Sequence, residues 1–330
     1  MNVKSATAAL LCVFVLAVTG PWASPAGAQQ PYPSHTVKII AGYPPGGGTD
    51  TQARLMAEKL SQVWGQPVVV DNQPGGLGII SARAVATAPP DGYTLYMGTF
   101  DHLVLVYSLK DDVPFDTQRD FIPISPVADQ GVVIATNPSV PVSSVQELVA
   151  LARERPNRLT YASVGVGSIS HLAAELFQIR NGIKMVHVPY KGSAPALADL
   201  MSGQGGQVMF ASLATVAPQI KAGRVKALAV TGKARSPLLP DVPTTDEAGL
   251  PDFVMSTWNG LFLPAGTPKE IVNAVSSATL KVLDMSDVRD KLLSLGFEPS
   301  RTTPEGFARI IASDLQRWQK IIADANIPKQ

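Results

Sequence analysis

Residues Tyr43 to Asp50 read Tyr-Pro-Pro-Gly-Gly-Gly-Thr-Asp and follow the apolar run Val37–Ala41. This order predicts a short strand that empties into a glycine loop, with a helix opening at Thr49 or Asp50. Glycines let the backbone approach a ligand and turn its N–H groups outward. The N-terminus of the following helix adds partial positive charge. Such a segment suits non-covalent capture of an anion. A second loop of the same kind, Val164-Gly165-Val166-Gly167-Ser168, follows the strand-like Thr160–Ser163. Two strand–glycine–helix loops on one chain predict two backbone cradles facing one anionic ligand.

The polar residues near these loops permit fewer chemistries than they first suggest. Asp50 would repel an anion if it faced the cleft, so it reads as a helix cap or a loop brace, with recognition of a ligand amine as the second reading. Gly165-Val166-Gly167 is not a dinucleotide fingerprint, because Ser170 holds the third glycine position, and no Gly-Lys-Ser/Thr follows to make a P-loop. Ser168 suits a helix cap, a ligand contact, or both. His171 and Glu175 stand four apart on one helical face, yet no third ligand lies at usable spacing, so no metal is expected. His171, in the first helical turn, reads instead as a hydrogen-bond donor to ligand or loop. Lys191 is either a cleft charge or a solvated surface residue. His35, His102 and His187 show no relation to a nucleophile. The chain contains no Gly-x-Ser-x-Gly elbow, no His-Glu-x-x-His and no placeable Ser-x-x-Lys set. Neither catalysis nor a cofactor is expected.

The start of the chain predicts export. Lys4, the apolar Ala8–Val18 and Ala26-Gly27-Ala28 have the order of a secretory signal peptide over 1–28, with cleavage before Gln29. Cys12, the single cysteine, lies inside the apolar region behind Leu10-Leu11, which does not suit lipidation. The mature chain would then have no thiol chemistry and no disulfide. The formal net charge of +1 falls to about zero without Lys4. No basic stripe or aromatic–basic interleaving is present, so nucleic acid and anionic membrane surfaces are not expected partners.

Strand and helix signals alternate along the remainder. Val37–Ala41, Val68–Val70 and Tyr93–Met97 read as buried strands, separated by a helix through Ala53, Met56, Ala57 and Leu60 and by a short one ending near Ala88. This β-α-β-α-β order predicts an α/β fold with a parallel, doubly wound sheet. A second series begins near Val132–Ala135. Ser144-Val145-Gln146-Glu147 has the spacing of a capping box. Leu159–Ala162, Met185–Val188, Val208–Phe210 and Val225–Val230 read as strands alternating with helices. Prolines at 237, 240, 243 and 251 then mark an irregular connection. Two helices, opening at Thr267-Pro268 and Thr303-Pro304, follow the apolar Trp258–Leu263.

These segments resemble a known family over nearly the whole mature chain. Its marks are Tyr43-Pro44-Pro45-Gly46-Gly47 with Asp50; Gly65 to Val70 with Asn72 and Pro74-Gly75-Gly76; and Pro90-Asp91-Gly92-Tyr93-Thr94-Leu95. Farther on come Asp120 to Ile124, Gly165 to Ser168 with His171-Leu172, and His187 to Gly192. Leu228 to Thr231 and Pro243-Thr244 with Glu247-Ala248-Gly249 close the series. Together they look like the periplasmic solute-binding receptors of tripartite tricarboxylate transporters, the Bug type. The resemblance implies two doubly wound α/β domains forming a clamshell with two crossover strands. One domain would comprise 29–131 and 256–330, the other 132–255. It further implies a monomeric periplasmic protein that holds a small organic acid by backbone N–H groups and bridging waters. That acid would pass to a small and a large membrane subunit. By position the ligand-binding set would be Tyr43, Pro45, Gly46, Gly47, Gly48, Thr49 and Thr99 on one side. Ser163, Gly165, Gly167, Ser168, His171, Tyr190, Lys191 and Gly192 would form the other. The chain departs from the family where Asp101-His102 occupy a loop that more often carries small hydroxylated residues. It departs again at Val106-Tyr107, where Asn-Pro is usual, and at Ala211, where Asp or Asn is common.

Overall fold

The structure, a computed structural model, describes residues 32–232, 234–324 and 329. The expected signal peptide, with Cys12, lies outside these residues.

The first series forms as its periodicity dictates. Strand β1 (Val37–Ala41) leads to helix α1 (Gly48–Trp64), whose stripe Ala53, Met56, Ala57 and Leu60 is buried. The helix stops at Gly65, which takes the left-handed conformation with φ of 65° that favours glycine. Strand β2 (Val68–Asn72) and helix α2 (Ile79–Ala86) follow, then β3 (Thr94–Thr99). Strands β2 and β3 both pair in parallel with β1. Contrary to expectation β2 is not buried: it lies at the sheet edge, with Val69 44% exposed.

Asp101-His102 are not in a loop. They open a helical segment, a π-turn over Asp101–Leu105 running into α3 (Val106–Leu109). The run Leu103–Val106 is buried on every side, which hides any 3.6-residue period.

Strand β4 (Phe121–Thr136) then spans the molecule. Its first part pairs antiparallel with β9, from Phe121 with Pro264 to Gly131 with Ser256. From Val132 onward its partners are β7 and β8, also antiparallel. The elements between are α4 (Val145–Glu154), β5 (Thr160–Ser163), α5 (Ile169–Asn181), β6 (Val186–Pro189), α6 (Ser193–Ser202), β7 (Val208–Ser212), α7 (Leu213–Lys221) and β8 (Lys226–Val230). Strand β9 (Ser256–Pro264) returns beside β3 and β4, giving the order β2-β1-β3-β9-β4-β7-β5-β6. The sheet is therefore mixed: parallel at both ends and antiparallel where β9 and β4 pass between them. The capping box at α4 is present in a shifted form. Ser144 Oγ accepts from the Glu147 N–H, while Glu147 receives the N–H of Ser143.

Three helices, not two, follow β9: α8 (Lys269–Leu283), α9 (Ser286–Ser294) and, after the short strand β10 (Glu298–Pro299), α10 (Pro304–Asp324). Pro268 itself is the N-cap of α8. On the inner face of α10, Phe307 meets Trp258 edge-on at 4.9 Å, and Trp318 meets Phe100. These contacts fix the C-terminal helix to β9 and to the turn bearing Asp101.

Candidate functional site

A cleft of about 300 Å³ opens where loops of the β1–β3 strands face loops of the β5–β7 strands. Tyr43, Pro45, Gly46, Gly47, Gly48, Thr49 and Thr99 line one wall, and Lys191 and Gly192 line the other. Ser170, Ser193, Thr215, Gln130, Thr257 and Asn259 also line it and were missed, as does Asp101, which the sequence marked only as a departure from the family pattern. Thr257 and Asn259 alternate along β9, a period-two polar signal inside an apolar strand that could have exposed them. Gln130 Oε1 and Thr257 Oγ1 are buried without a hydrogen-bond partner.

The first loop is rigid for identifiable reasons. The Asp50 carboxylate accepts from Gly46 N–H (2.9 Å), Arg54 Nε (2.9 Å) and Asn72 Nδ2 (2.9 Å). Desolvation raises its pKa, but these bonds outweigh it and hold the carboxyl below its usual value. Asn72 Nδ2 also reaches the Tyr43 carbonyl at 3.1 Å. Asp50 thus braces the loop instead of facing a ligand. Gly46 has φ of 85°, a conformation that favours glycine. Gly47, by contrast, is the N-cap of α1 with φ of −82°. No side chain caps this helix, so the first-turn N–H groups at the cleft are left for a ligand or water.

Asp101 lies at the junction of the two walls. Its Oδ2 accepts from Tyr43 OH at 3.0 Å, and its Oδ1 accepts from the Ile169 N–H at the start of α5, at 3.2 Å. Burial pushes its pKa up to about 6, against the lowering effect of those two bonds. Burial and the neighbouring Asp101 hold the Tyr43 phenol well above its ordinary value. His102 is fully buried; desolvation pushes it down to about 3, so it is neutral, with Nδ1 2.9 Å from Tyr96 OH.

Gly165, Gly167 and Ser168 of the second glycine loop do not line the cleft, although Val164 before them and Ile169-Ser170 after them do. Gly165 and Gly167, with φ of 142° and 87°, face the side chains of Leu77 and Leu109 from the other wall. A Cβ on Gly167 would stand 3.2 Å from Leu109 Cδ1. Ser168 caps α5, accepting from the His171 N–H at 3.4 Å and donating to the Gly165 carbonyl at 2.6 Å. His171 Nδ1 accepts the Gly167 N–H (3.1 Å), which leaves the proton of the neutral ring on Nε2. Ser163 is buried, with its hydroxyl 2.7 Å from His187 Nε2. The near-parallel rings of Tyr161, His171 and His187 cluster, with His187 4.7 Å from Tyr161 and 4.3 Å from His171. Glu175 accepts from Tyr161 OH and Gln178 Nε2, and no metal-binding cluster forms among the described residues. Tyr190 borders the same loop; a Cβ on Gly165 would lie 3.7 Å from its carbonyl. The second wall is instead the start of α6. Gly192, with φ of 111°, is its N-cap without a side-chain cap, and the Ser212–Thr215 start of α7 adjoins it.

Uncapped helix N-termini converging on a partly polar cleft can hold an anion without a formal countercharge. Comparison with known proteins agrees with that chemistry. The model of the tripartite tricarboxylate transporter family receptor matches residues 52–327. The protein BugT of Bordetella pertussis is 35% identical over 316 residues, covering 94% of this chain and 97% of BugT. The R. palustris protein Rpa4515, solved with adipate, is 35% identical with a TM-score of 0.86, over 90% of this chain and 99% of that one. MatC of Rhodopseudomonas palustris, with bound malate, is 32% identical with a TM-score of 0.82, over 88% and 100%. The periplasmic binding protein BugD is 31% identical with a TM-score of 0.84, over 91% and 100%. The family is one of solute-binding receptors, not of enzymes. The chain belongs to the tripartite tricarboxylate transporter receptor family and is of the Bug type.

Proposed function

We propose that this receptor captures one small organic acid in the cleft and hands it to the small and large membrane subunits of its transporter. The observation that carries this reading is the pair of uncapped N-termini, α1 at Gly47–Thr49 and α6 at Gly192–Ser193, facing each other across about 300 Å³. Relatives solved with adipate and malate support a carboxylate as the occupant. Tyr43, Gly46, Thr99 and Lys191 join the contact set as cleft-lining residues. Ser163, Gly165, Gly167, Ser168, His171 and Tyr190 act one step back, by shaping the wall that meets Leu77 and Leu109.

Residues 29–131 with 256–330 form one lobe and 132–255 the other. The pairing of β4 supports this division, since its partner changes from β9 to β7 and β8 between Gly131 and Val132. The protein acts as a periplasmic monomer after removal of residues 1–28. A thermal-shift screen against organic acids tests the reading. A ligand at a hundred times its Kd stabilises the fold by about 2.7 kcal/mol, without turnover. Failure of every small carboxylate to raise the midpoint would remove it.

A further inference from the structure

We propose that Asp101 selects the ligand: an acid bound in this cleft presents a hydroxyl or ammonium donor to the Asp101 carboxylate, and plain dicarboxylates are disfavoured. The proposal rests on the receptor reading of the cleft. It begins from geometry. Asp101 lines the cleft and is 7% exposed. Its two oxygens already accept one bond each, from Tyr43 OH and from the Ile169 N–H. A carboxylate offers about four lone-pair sites, so these two bonds leave acceptor capacity unused in a residue that borders the cleft. Both recorded partners are neutral donors, and neither cancels the charge. A ligand oxygen without hydrogen brought against this group would meet two acceptors and no proton between them. Like charges so placed repel and weaken binding.

Asp101 also takes over part of a ligand's work. It holds the first backbone N–H of α5, on the opposite wall, with a carboxylate supplied by the chain itself. The donors left for the ligand's own anionic end are then those of α1, α6 and α7, with Lys191 beside them. Gln130 Oε1, buried without a partner at the same cleft, adds a second acceptor on the floor between the walls. An occupant with an anionic end for the helix N-termini and a donor for Asp101 complements both ends of the cleft; a bare dicarboxylate does not.

Titration calorimetry at pH 8 with matched acids tests this: succinate against malate and aspartate, and glutarate against glutamate. The wild-type protein should bind the donor-bearing member of a pair about tenfold more tightly or better, the equivalent of one hydrogen bond to a charged group. Asp101→Ser, with Asp101→Asn as a second variant whose folding is checked by its melting curve, should shrink that ratio to about threefold or less. The shrinkage should come through tighter binding of the plain acid. Equal binding of both members by wild type, or a ratio unchanged in both variants, overturns the proposal and leaves the receptor reading standing. Absence of heat from every acid with all three proteins overturns the receptor reading together with it.

Discussion

Replacing Asp101 by Asn should make the protein more stable at pH 8 than at pH 4.5, relative to wild type. The buried carboxyl titrates at about 6 in the folded protein, against 3.8 for the ordinary group. A raised acid pKa means that the folded state holds the proton more tightly than the unfolded one. The stability this contributes is fully present below about pH 4 and is lost as pH rises through about 6. The displacement, roughly two pH units at 1.36 kcal/mol each, corresponds to about 3 kcal/mol of cost to wild type once Asp101 is ionised. Asn has no proton to lose, yet offers one oxygen to the Ile169 N–H and an amide to the Tyr43 hydroxyl. The variant should therefore match wild type at low pH, within the cost of a slightly altered hydrogen bond. It should then gain on wild type from about pH 4 to about pH 6 and level off above that, reaching roughly 5 °C in melting midpoint for a chain of this size. Asp129, also pushed up to about 6 by burial, titrates equally in both proteins and drops out of the difference. Differential scanning calorimetry at pH 4.5, 6 and 8 supplies the comparison. A gap between the two proteins that does not change with pH would refute the reasoning.

Other consequences follow from the first loop. Gly46→Val forces a β-branched residue to φ of 85°, which should cost about 1–2 kcal/mol and weaken binding at least tenfold by calorimetry. Gly47→Ala should be tolerated far better, since its φ is −82° and the nearest atom to a new Cβ is the Pro44 carbonyl oxygen at 3.7 Å. A Cβ on Gly48 would lie 2.8 Å from Phe297 Cζ, so Gly48→Ala should lower stability by about 1–3 kcal/mol in urea unfolding. Asp50→Ala strands the Gly46 N–H and loosens the loop; its binding loss should exceed that of the exposed Lys191→Ala, with Asp50→Asn between them.

Local chemistry made the first cradle legible in the sequence. Glycine at a strand end, with an apolar stripe behind it, specifies a loop and a helix N-terminus whatever surrounds them. The second loop was equally legible as a loop, but not in its placement. Whether Gly165 and Gly167 meet a ligand or Leu77 depends on how distant segments pack, and no local signal carries that. The crossover strands were hidden for a different reason. Pro123 and Pro126 interrupt the pattern of β4, and they are accommodated where its register with β9 shifts, between Pro123 and Ser125 and between Pro126 and Ala128. Helix α9 escaped notice because only Val288 and Leu292 are buried on it. Asp101 stood in plain view as a departure from the family pattern. Its reach to the Ile169 N–H required the fold.

The most direct measurement is a crystal structure of the mature protein with the acid that most raises its melting midpoint. The account predicts electron density for a carboxylate between the N–H groups of Gly47–Thr49 and Ser193–Ala194, with a ligand donor directed at Asp101. Density for the acid outside this cleft, or a carboxylate pointed directly at an ionised Asp101, would contradict it.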